Sequence, residues 1–258
     1  DVILDYQRIK LNLSENLVNL QEHSIWRYLP LIPTTDPGGD LTPVKSVGWT
    51  PVYEPKRLSD KLGLERLYIK DEGKNPTASF KDRASAVVAA RAQDIGAEVI
   101  VTASTGNAGA ALAGMCAAMD TQAVIFAPKS APPAKIAQLL IYGADVYLVD
   151  GNYDQAFDLS LDASNEFGWY CRNTGYNPFT AEGKKTAAFE IWEFIKNQSL
   201  KKISMDQWNV FVSVGDGNII SGIHKGFKDL IELGWIDQIP KIFGVQSVGS
   251  SASYNAFG

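Results

Sequence analysis

Val99-Ile100-Val101-Thr102-Ala103-Ser104-Thr105-Gly106-Asn107-Ala108-Gly109-Ala110 is the stretch that decides the fold of this chain. Val99 to Thr102 is a short, branched, apolar run of the kind that forms a buried strand. A polar turn follows, and the alanine-rich segment from Asn107 to Met119 reads as a helix. The same alternation extends outward. Asp82 to Gly96 is helical, with Gly96 as a stop signal. Ala123-Val124-Ile125-Phe126 is a strand, Pro132 and Pro133 open a helix that runs to Tyr142, and Gly143 ends it. Val146-Tyr147-Leu148-Val149 is a strand and Tyr153 to Phe167 a helix. Strand, helix and strand at this spacing make βαβ units and a parallel sheet.

The pattern pauses in the polar, turn-rich stretch from Tyr170 to Thr180. It restarts with a helix from Glu182 to Asn197, a strand at Val210-Phe211-Val212-Ser213-Val214, a helix from Ile219 to Leu233 and a strand from Lys241 to Gln246. Leu67-Tyr68-Ile69-Lys70 reads as a short strand. The first fifty residues are irregular. Pro30, Pro33, Pro37, Pro43 and Pro51, with Gly38, Gly39 and Gly48 among them, argue for an extended wrapping segment. The expectation is an α/β fold of two three-layer domains with mostly parallel sheets and a cleft between them. The larger domain takes residues 1–76 and 177–258, the smaller residues 77–176. There is no internal repeat and no low-complexity tract.

Bulk properties exclude several function classes. The 258 residues, 45% of them hydrophobic, are ample for a buried core. The net charge is −5 with no Lys/Arg cluster, which argues against a nucleic-acid surface. Cys116 and Cys171 lack partners at metal-ligand spacing, and His23 and His224 lie far apart, so neither a zinc site nor a disulfide framework is expected. Both cysteines read as core, and a reducing compartment is the default. Asp1 to Lys10 is charged and lacks a signal-peptide core. No stretch approaches the roughly twenty apolar residues of a membrane span. The expectation is a soluble cytoplasmic protein with no metal and with neither nucleic acid nor membrane as partner.

Three segments carry chemistry. Asn75-Pro76-Thr77-Ala78-Ser79-Phe80-Lys81-Asp82-Arg83 sets Lys81 just ahead of a helix, with Phe80 beside the amine. A partly desolvated lysine has a lowered pKa and is more nucleophilic. Most lysines are solvated surface charges, and Thr77 or Ser79 also suits a helix cap, so this run alone does not decide. Ser104-Thr105-Gly106-Asn107-Ala108-Gly109 lies between a strand and a helix, where backbone N–H groups and the helix dipole favour a carboxylate or phosphate. An ordinary capped turn explains it equally well. Val212-Ser213-Val214-Gly215-Asp216-Gly217-Asn218-Ile219 repeats that placement, and its glycines let backbone approach a phosphate. It is neither a Walker loop nor a dinucleotide fingerprint. Asp216 repels an anion, so its side chain must point away or cap the helix. Together, one amine and two helix N-termini at carboxyl ends of strands suit a cleft between α/β units, with separate places for a cofactor phosphate and a substrate carboxylate. Such an amine is what a pyridoxal-phosphate enzyme needs for its Schiff base.

These runs, with Gly48-Trp49-Thr50-Pro51 and Asn177-Pro178-Phe179-Thr180-Ala181-Glu182-Gly183-Lys184-Lys185-Thr186, carry a resemblance over residues 48–258. The chain resembles the tryptophan-synthase-β type (fold type II) of pyridoxal-phosphate-dependent enzymes, and within it the threonine synthases. The resemblance implies a lyase of threonine biosynthesis that converts O-phosphohomoserine and water to threonine and phosphate. It implies that Lys81 holds the cofactor aldehyde and moves the α-proton, and that Asn107 meets the ring's 3′ oxygen. Gly215, Asp216, Gly217, Asn218 and Ile219 would hold the cofactor phosphate. Ser104, Thr105, Gly106 and Asn107 would meet the substrate carboxylate, and Asn173 and Thr174 the leaving phosphate. A small phosphorylated amino acid as substrate and a homodimer follow from the family.

This sequence departs from the family in three places. Thr180 stands where many relatives have a phosphate-binding Arg, so the acceptor differs or another cation serves. The Gly215 loop is one residue shorter than in many threonine synthases. Relatives continue past Gly258, where their ligand to the pyridine nitrogen lies. Three readings therefore stay open beside threonine synthase: an O-phosphoserine-dependent β-replacement enzyme, a threonine/serine dehydratase, and a non-catalytic remnant of the fold. Lys184 and Lys185 read as the start of a helix face, and their nearness to Asn173 leaves phosphate binding open. His224 reads as a packing or solvated residue.

Overall fold

The computed structural model describes residues 2–12, 17–197 and 204–257. Among them the strands are β1 (Val52–Tyr53), β2 (Ile69–Lys70), β3 (Val99–Ala103), β4 (Gln122–Pro128), β5 (Asp145–Val149), β6 (Tyr170–Cys171), β7 (Asn209–Ser213) and β8 (Lys241–Val245). The α-helices are α1 (Tyr6–Asn12), α2 (Lys56–Leu62), α3 (Lys81–Asp94), α4 (Asn107–Ala118), α5 (Pro133–Ile141), α6 (Tyr153–Phe167), α7 (Phe179–Asn197), α8 (Asn218–Glu232) and α9 (Ala252–Phe257).

The branched run that opens the sequence argument becomes β3, an inner strand of a four-stranded sheet in the order β5-β4-β3-β6, parallel throughout. Ile100, Val101 and Ile125 are fully buried, as inner strands covered on both faces require. α6 covers one face, over a small cluster that includes Val101, Val124, Phe126 and Ala163. The other face joins a larger cluster containing Val87, Ile100, Leu112, Phe189 and Phe227, so α3, α4, α7 and α8 share one hydrophobic core. β7 and β8 form a separate parallel pair, and β1 and β2 an antiparallel one. The class is α/β with mostly parallel strands.

Several elements lie outside the sequence expectation. Tyr170–Cys171 pairs with Ile100 and Val101 as β6, although two residues carry no periodicity to read. α7 begins at Phe179 rather than Glu182, because the Asn177 side chain accepts from the Phe179 amide at 2.9 Å and caps the helix. The proline-rich arm contains α1 and 3₁₀ turns at Ile25–Leu31 and Pro43–Ser46. It does wrap the core: Ile25, Tyr28, Leu31 and Val47 are fully buried, and Tyr28 meets Phe189 edge-on with ring centroids 5.1 Å apart. Among the described residues no helix is long and apolar enough to cross a membrane.

α7 crosses α3 where Gly183 faces the Arg83 carbonyl, and a Cβ there would overlap that carbonyl group. The close approach holds the start of α3 in place. Gly183→Ala forces the helices apart and is expected to destabilise the protein by about 1–3 kcal/mol or more. A urea midpoint equal to wild type would show that the crossing tolerates the methyl group.

Candidate active site

The lysine loop is built from its own residues. Asp82 is fully buried, and its carboxylate accepts from the Thr77 amide at 2.6 Å and from the Thr77 hydroxyl, folding the loop back on the helix it precedes. Burial holds the Asp82 pKa above the usual carboxylate range, and the Thr77 bonds oppose this. Ala78 takes a left-handed φ of 58°, unfavourable for a residue with a Cβ, and its amide is pinned to the Asn75 carbonyl at 2.8 Å. The Ser79 hydroxyl accepts from the Lys81 amide at 3.1 Å, so the capping and functional readings of this segment are compatible.

Lys81 enters a cavity of about 470 Å³ lined also by Phe80, Asn107, Ser213, Gly215, Asp216, Gly217 and Ile219. Burial lowers its pKa; the Asp216 charge opposes this and the Arg172 charge adds to it. The cavity lies beyond the carboxyl ends of β3 and β7, in front of the first residues of α4 and α8. The Asp216 carboxylate accepts from the Asn218 amide, the first of α8, at 3.0 Å, a local bond across the Gly217 turn. Among the described residues no protein acceptor meets the amides of Gly215 or Gly217, and a Cβ built on either would meet nothing within 4 Å. Open space beside unpartnered backbone donors at a helix N-terminus fits a phosphate. With Lys81 across the cavity and Asn107 on its wall, the residues present fit pyridoxal phosphate.

Two buried cations stand behind this cavity. Arg172 is fully buried just past β6; its Nε donates to Ser85 Oγ at 3.3 Å and its Nη1 to Thr174 Oγ1 at 2.8 Å, while Nη2 has no partner among the described residues. Ser85 lies one turn beyond Lys81 on the same face of α3. Lys184, also fully buried, donates from Nζ to Asn218 Oδ1 at the start of α8. Its pKa is depressed to about 7, by burial first and then by the charges of Arg172 and Lys81, with Asp216 opposing. The Arg172 guanidinium is lowered to about 10, again chiefly by burial.

Of the residues singled out in the sequence, Lys81, Asn107, Gly215, Asp216, Gly217 and Ile219 line the one cavity. The Asn218 side chain is engaged by Lys184. Ser104, Thr105 and Gly106 form the turn into α4, where Ser104 Oγ accepts from the Gly106 amide at 3.2 Å. Asn173 sits beneath this turn: its Oδ1 accepts from the Ala103 amide at 2.8 Å and from Thr102 Oγ1 at 2.9 Å, and its Nδ2 donates to Ser160 Oγ at 2.7 Å. Thr174 is bound to Arg172. Thr180 is buried and donates to the Asn177 carbonyl at 2.8 Å. Lys185 pairs with Glu182 at 2.6 Å and Asp229 at 2.8 Å, away from the cavity. Both cysteines are buried. Arg172 was not singled out in the sequence, although it is the only charge between Glu166 and Glu182. Among the described residues no cluster of His, Cys, Asp and Glu could hold a metal.

A parallel α/β scaffold with a lysine between two strand-to-helix turns defines a class, and comparison agrees with it. The chain belongs to the pyridoxal-phosphate dependent enzyme family, whose pattern matches residues 44–258. Within it, the chain is 38% identical over 258 residues to the threonine synthase of Methanocaldococcus jannaschii, covering 100% of this chain and 61% of that protein. It is 36% identical to the threonine synthase of Methanosarcina acetivorans, covering 97% of this chain and 58% of that protein. The chain thus spans about three-fifths of the length of these relatives. Among solved structures, Escherichia coli diaminopropionate ammonia lyase, in complex with an aminoacrylate-PLP azomethine reaction intermediate, superposes with a TM-score of 0.70 at 19% identity over 94% of this chain and 63% of that one, a likeness of fold. The processed form of threonine deaminase isoform 2 from Solanum lycopersicum gives a TM-score of 0.64 at 28% identity over 80% of this chain and 53% of that one.

Proposed function

We propose that this chain carries the reactive centre of a pyridoxal-phosphate-dependent lyase that converts O-phosphohomoserine and water to threonine and phosphate. The observation that carries this reading is the meeting of Lys81, Asn107 and the Gly215–Ile219 loop around one cavity. The likeness to threonine synthases along the whole chain supports the choice of substrate.

When bound, the cofactor supplies the electron sink for carbanion chemistry. Lys81 Nζ is the group to hold it, and then to take and return protons at the substrate's α- and β-carbons. Burial favours its neutral amine, the form that can accept a proton. Asn107, on the cavity wall, is the group to meet the ring's phenolic oxygen. The first turn of α8 offers the donors for the cofactor phosphate. Ser104 and Thr105, in the turn into α4, offer hydroxyls for the substrate carboxylate, and Thr105 its amide, while the Gly106 amide is bound to Ser104 Oγ. Asn173 holds that turn from below through the Ala103 amide.

The test is turnover of O-phosphohomoserine, O-phosphoserine and threonine, followed by phosphate and ammonia release. Threonine formed from O-phosphohomoserine is the expected result. Phosphate released from O-phosphoserine alone, or ammonia from threonine alone, would replace this assignment with a β-replacement or dehydratase activity.

A further inference from the structure

The Gly215 loop offers a helix N-terminus to an anion, yet it carries an anion of its own. Gly215 and Gly217 leave their amides without protein acceptors among the described residues, and the Ser221 amide makes a backbone bond back to the Gly217 carbonyl at 3.1 Å. The amides ahead of it are the orphans that every helix start leaves for other acceptors. One of them is taken: the Asn218 amide donates to the Asp216 carboxylate at 3.0 Å. Asp216 lines the same cavity as Lys81 and Asn107. It is exposed, so no packing fixes its carboxylate to that amide.

The carboxylate is also a counter-charge. Lys81, Arg172 and Lys184 form no ion pair among the described residues. Burial depresses the pKa of all three, and the Asp216 charge opposes it at each. Asp216 thus does at the start of α8 what a phosphate does there. It accepts from a leading amide and offsets nearby positive charge. A carboxylate and a phosphate, the second with a charge of nearly −2, repel each other at such a distance.

We propose that Asp216 is an internal competitor of the cofactor phosphate: its carboxylate holds the start of α8 and gives up the Asn218 amide when the phosphate binds. This rests on the reading of the Gly215 loop as the cofactor-phosphate site. Asp216 then sets how tightly the chain retains its cofactor. It weakens retention, and it steadies the loop until the cofactor arrives. A glycine or an asparagine at the same place would leave the donors to the phosphate alone.

The test measures dissociation constants of pyridoxal 5′-phosphate and of pyridoxal by visible absorbance, on the full chain freed of cofactor. Asp216→Asn keeps an oxygen that can accept from the Asn218 amide and removes the charge; Asp216→Ala removes both. The two aldehydes meet the same amine, so the ratio of their constants cancels any change at Lys81 and reports the phosphate. In Asp216→Asn the preference for the phosphorylated form is expected to rise roughly tenfold or more. In Asp216→Ala it is expected to rise at least as far. The thermal midpoint without cofactor is expected to fall in both variants, because the cations lose their counter-charge, and with saturating pyridoxal 5′-phosphate to reach or exceed that of wild type. A purely structural role for Asp216 predicts a lower midpoint with and without cofactor and an unchanged ratio, which overturns the proposal. A ratio that falls in the variants overturns it too, since the carboxylate would then help to hold the phosphate. Wild type distinguishes this inference from the reading beneath it. If wild type prefers pyridoxal 5′-phosphate and the variants keep the same ratio, the competitor fails and the phosphate loop stands. If wild type binds pyridoxal as tightly as its phosphate, the loop is not the phosphate site and both fall.

Discussion

Lys81→Ala yields a folded protein that no longer retains the cofactor after borohydride reduction, and its activity falls by roughly a hundred- to ten-thousand-fold or more. The fold survives because Lys81 starts α3, where alanine is a good helix former, and because among the described residues its side chain makes neither ion pair nor hydrogen bond. Deleting a partly buried, unpaired charge does not cost stability. Lys81→Arg separates charge from chemistry. It keeps a cation at the cavity, but a guanidinium stays protonated and cannot hold an aldehyde or accept a proton. Equal loss in both variants identifies the neutral amine as the working group. The measurements are the visible spectrum of the loaded protein and a peptide map after reduction. A label on lysines other than 81, or turnover retained in either variant, would remove Lys81 from the centre of the site.

The fold was legible where side chains repeat with a period. β3, β5, α6 and β8 lie within a residue of their expected bounds, because parallel strands are short apolar runs and α6 ends at a glycine. The cavity was legible for the same reason: a strand-to-helix turn announces itself through composition, and three such segments pointed at one place. Long-range pairing carries no such local mark. β6 is two residues whose partners lie some seventy positions earlier, and Arg172 and Lys184 meet the cavity only because β6 and α7 fold behind it. Asn173 shows the complementary effect. The family resemblance implies that it meets substrate phosphate, and no local pattern announces that its side-chain amide is bound to Thr102, Ala103 and Ser160. A motif fixes which residue stands at a position; the partners of its side chain come from the tertiary structure.

Arg83→Met is expected to destabilise the protein by about 3–5 kcal/mol at neutral pH, the cost of removing one partner from a buried ionic network. Arg83 lies two positions past Lys81, and the helical turn points it away from the cavity into the core. Nε and Nη2 donate to Glu72 at 2.7 and 2.8 Å, and Nη1 and Nη2 to Glu190 at 2.5 and 2.9 Å. The same Glu190 accepts from the Trp49 and Thr50 amides at 2.9 and 3.3 Å and from Lys70 at 2.6 Å. Gly48-Trp49-Thr50, β2, α3 and α7 are thereby tied together at the base of the lysine loop, which gives those family-like residues a physical role. Methionine fills much of the volume but leaves Glu72 and Glu190 with Lys70 as their one cation partner among the described residues. The pH dependence distinguishes lost charge pairing from lost packing. Glu190 is held near 2, against an ordinary value of 4.5; burial alone would raise it, and Arg83 and Lys70 lower it further than burial lifts it. Its folded pKa lies below its unfolded one, so its contribution, on the order of 3 kcal/mol, is complete above the unfolded pKa and is lost as pH falls from about 5 toward 2. In Arg83→Met the carboxylates lose their main cation, their pKa values rise, and protonation relieves them. The stability gap between the proteins, measured by urea unfolding at pH 7, 5 and 3.5, should therefore narrow on acidification. A gap that stays constant across that range would assign the loss to packing and would mean that the charges of this network do not hold the lysine loop in place.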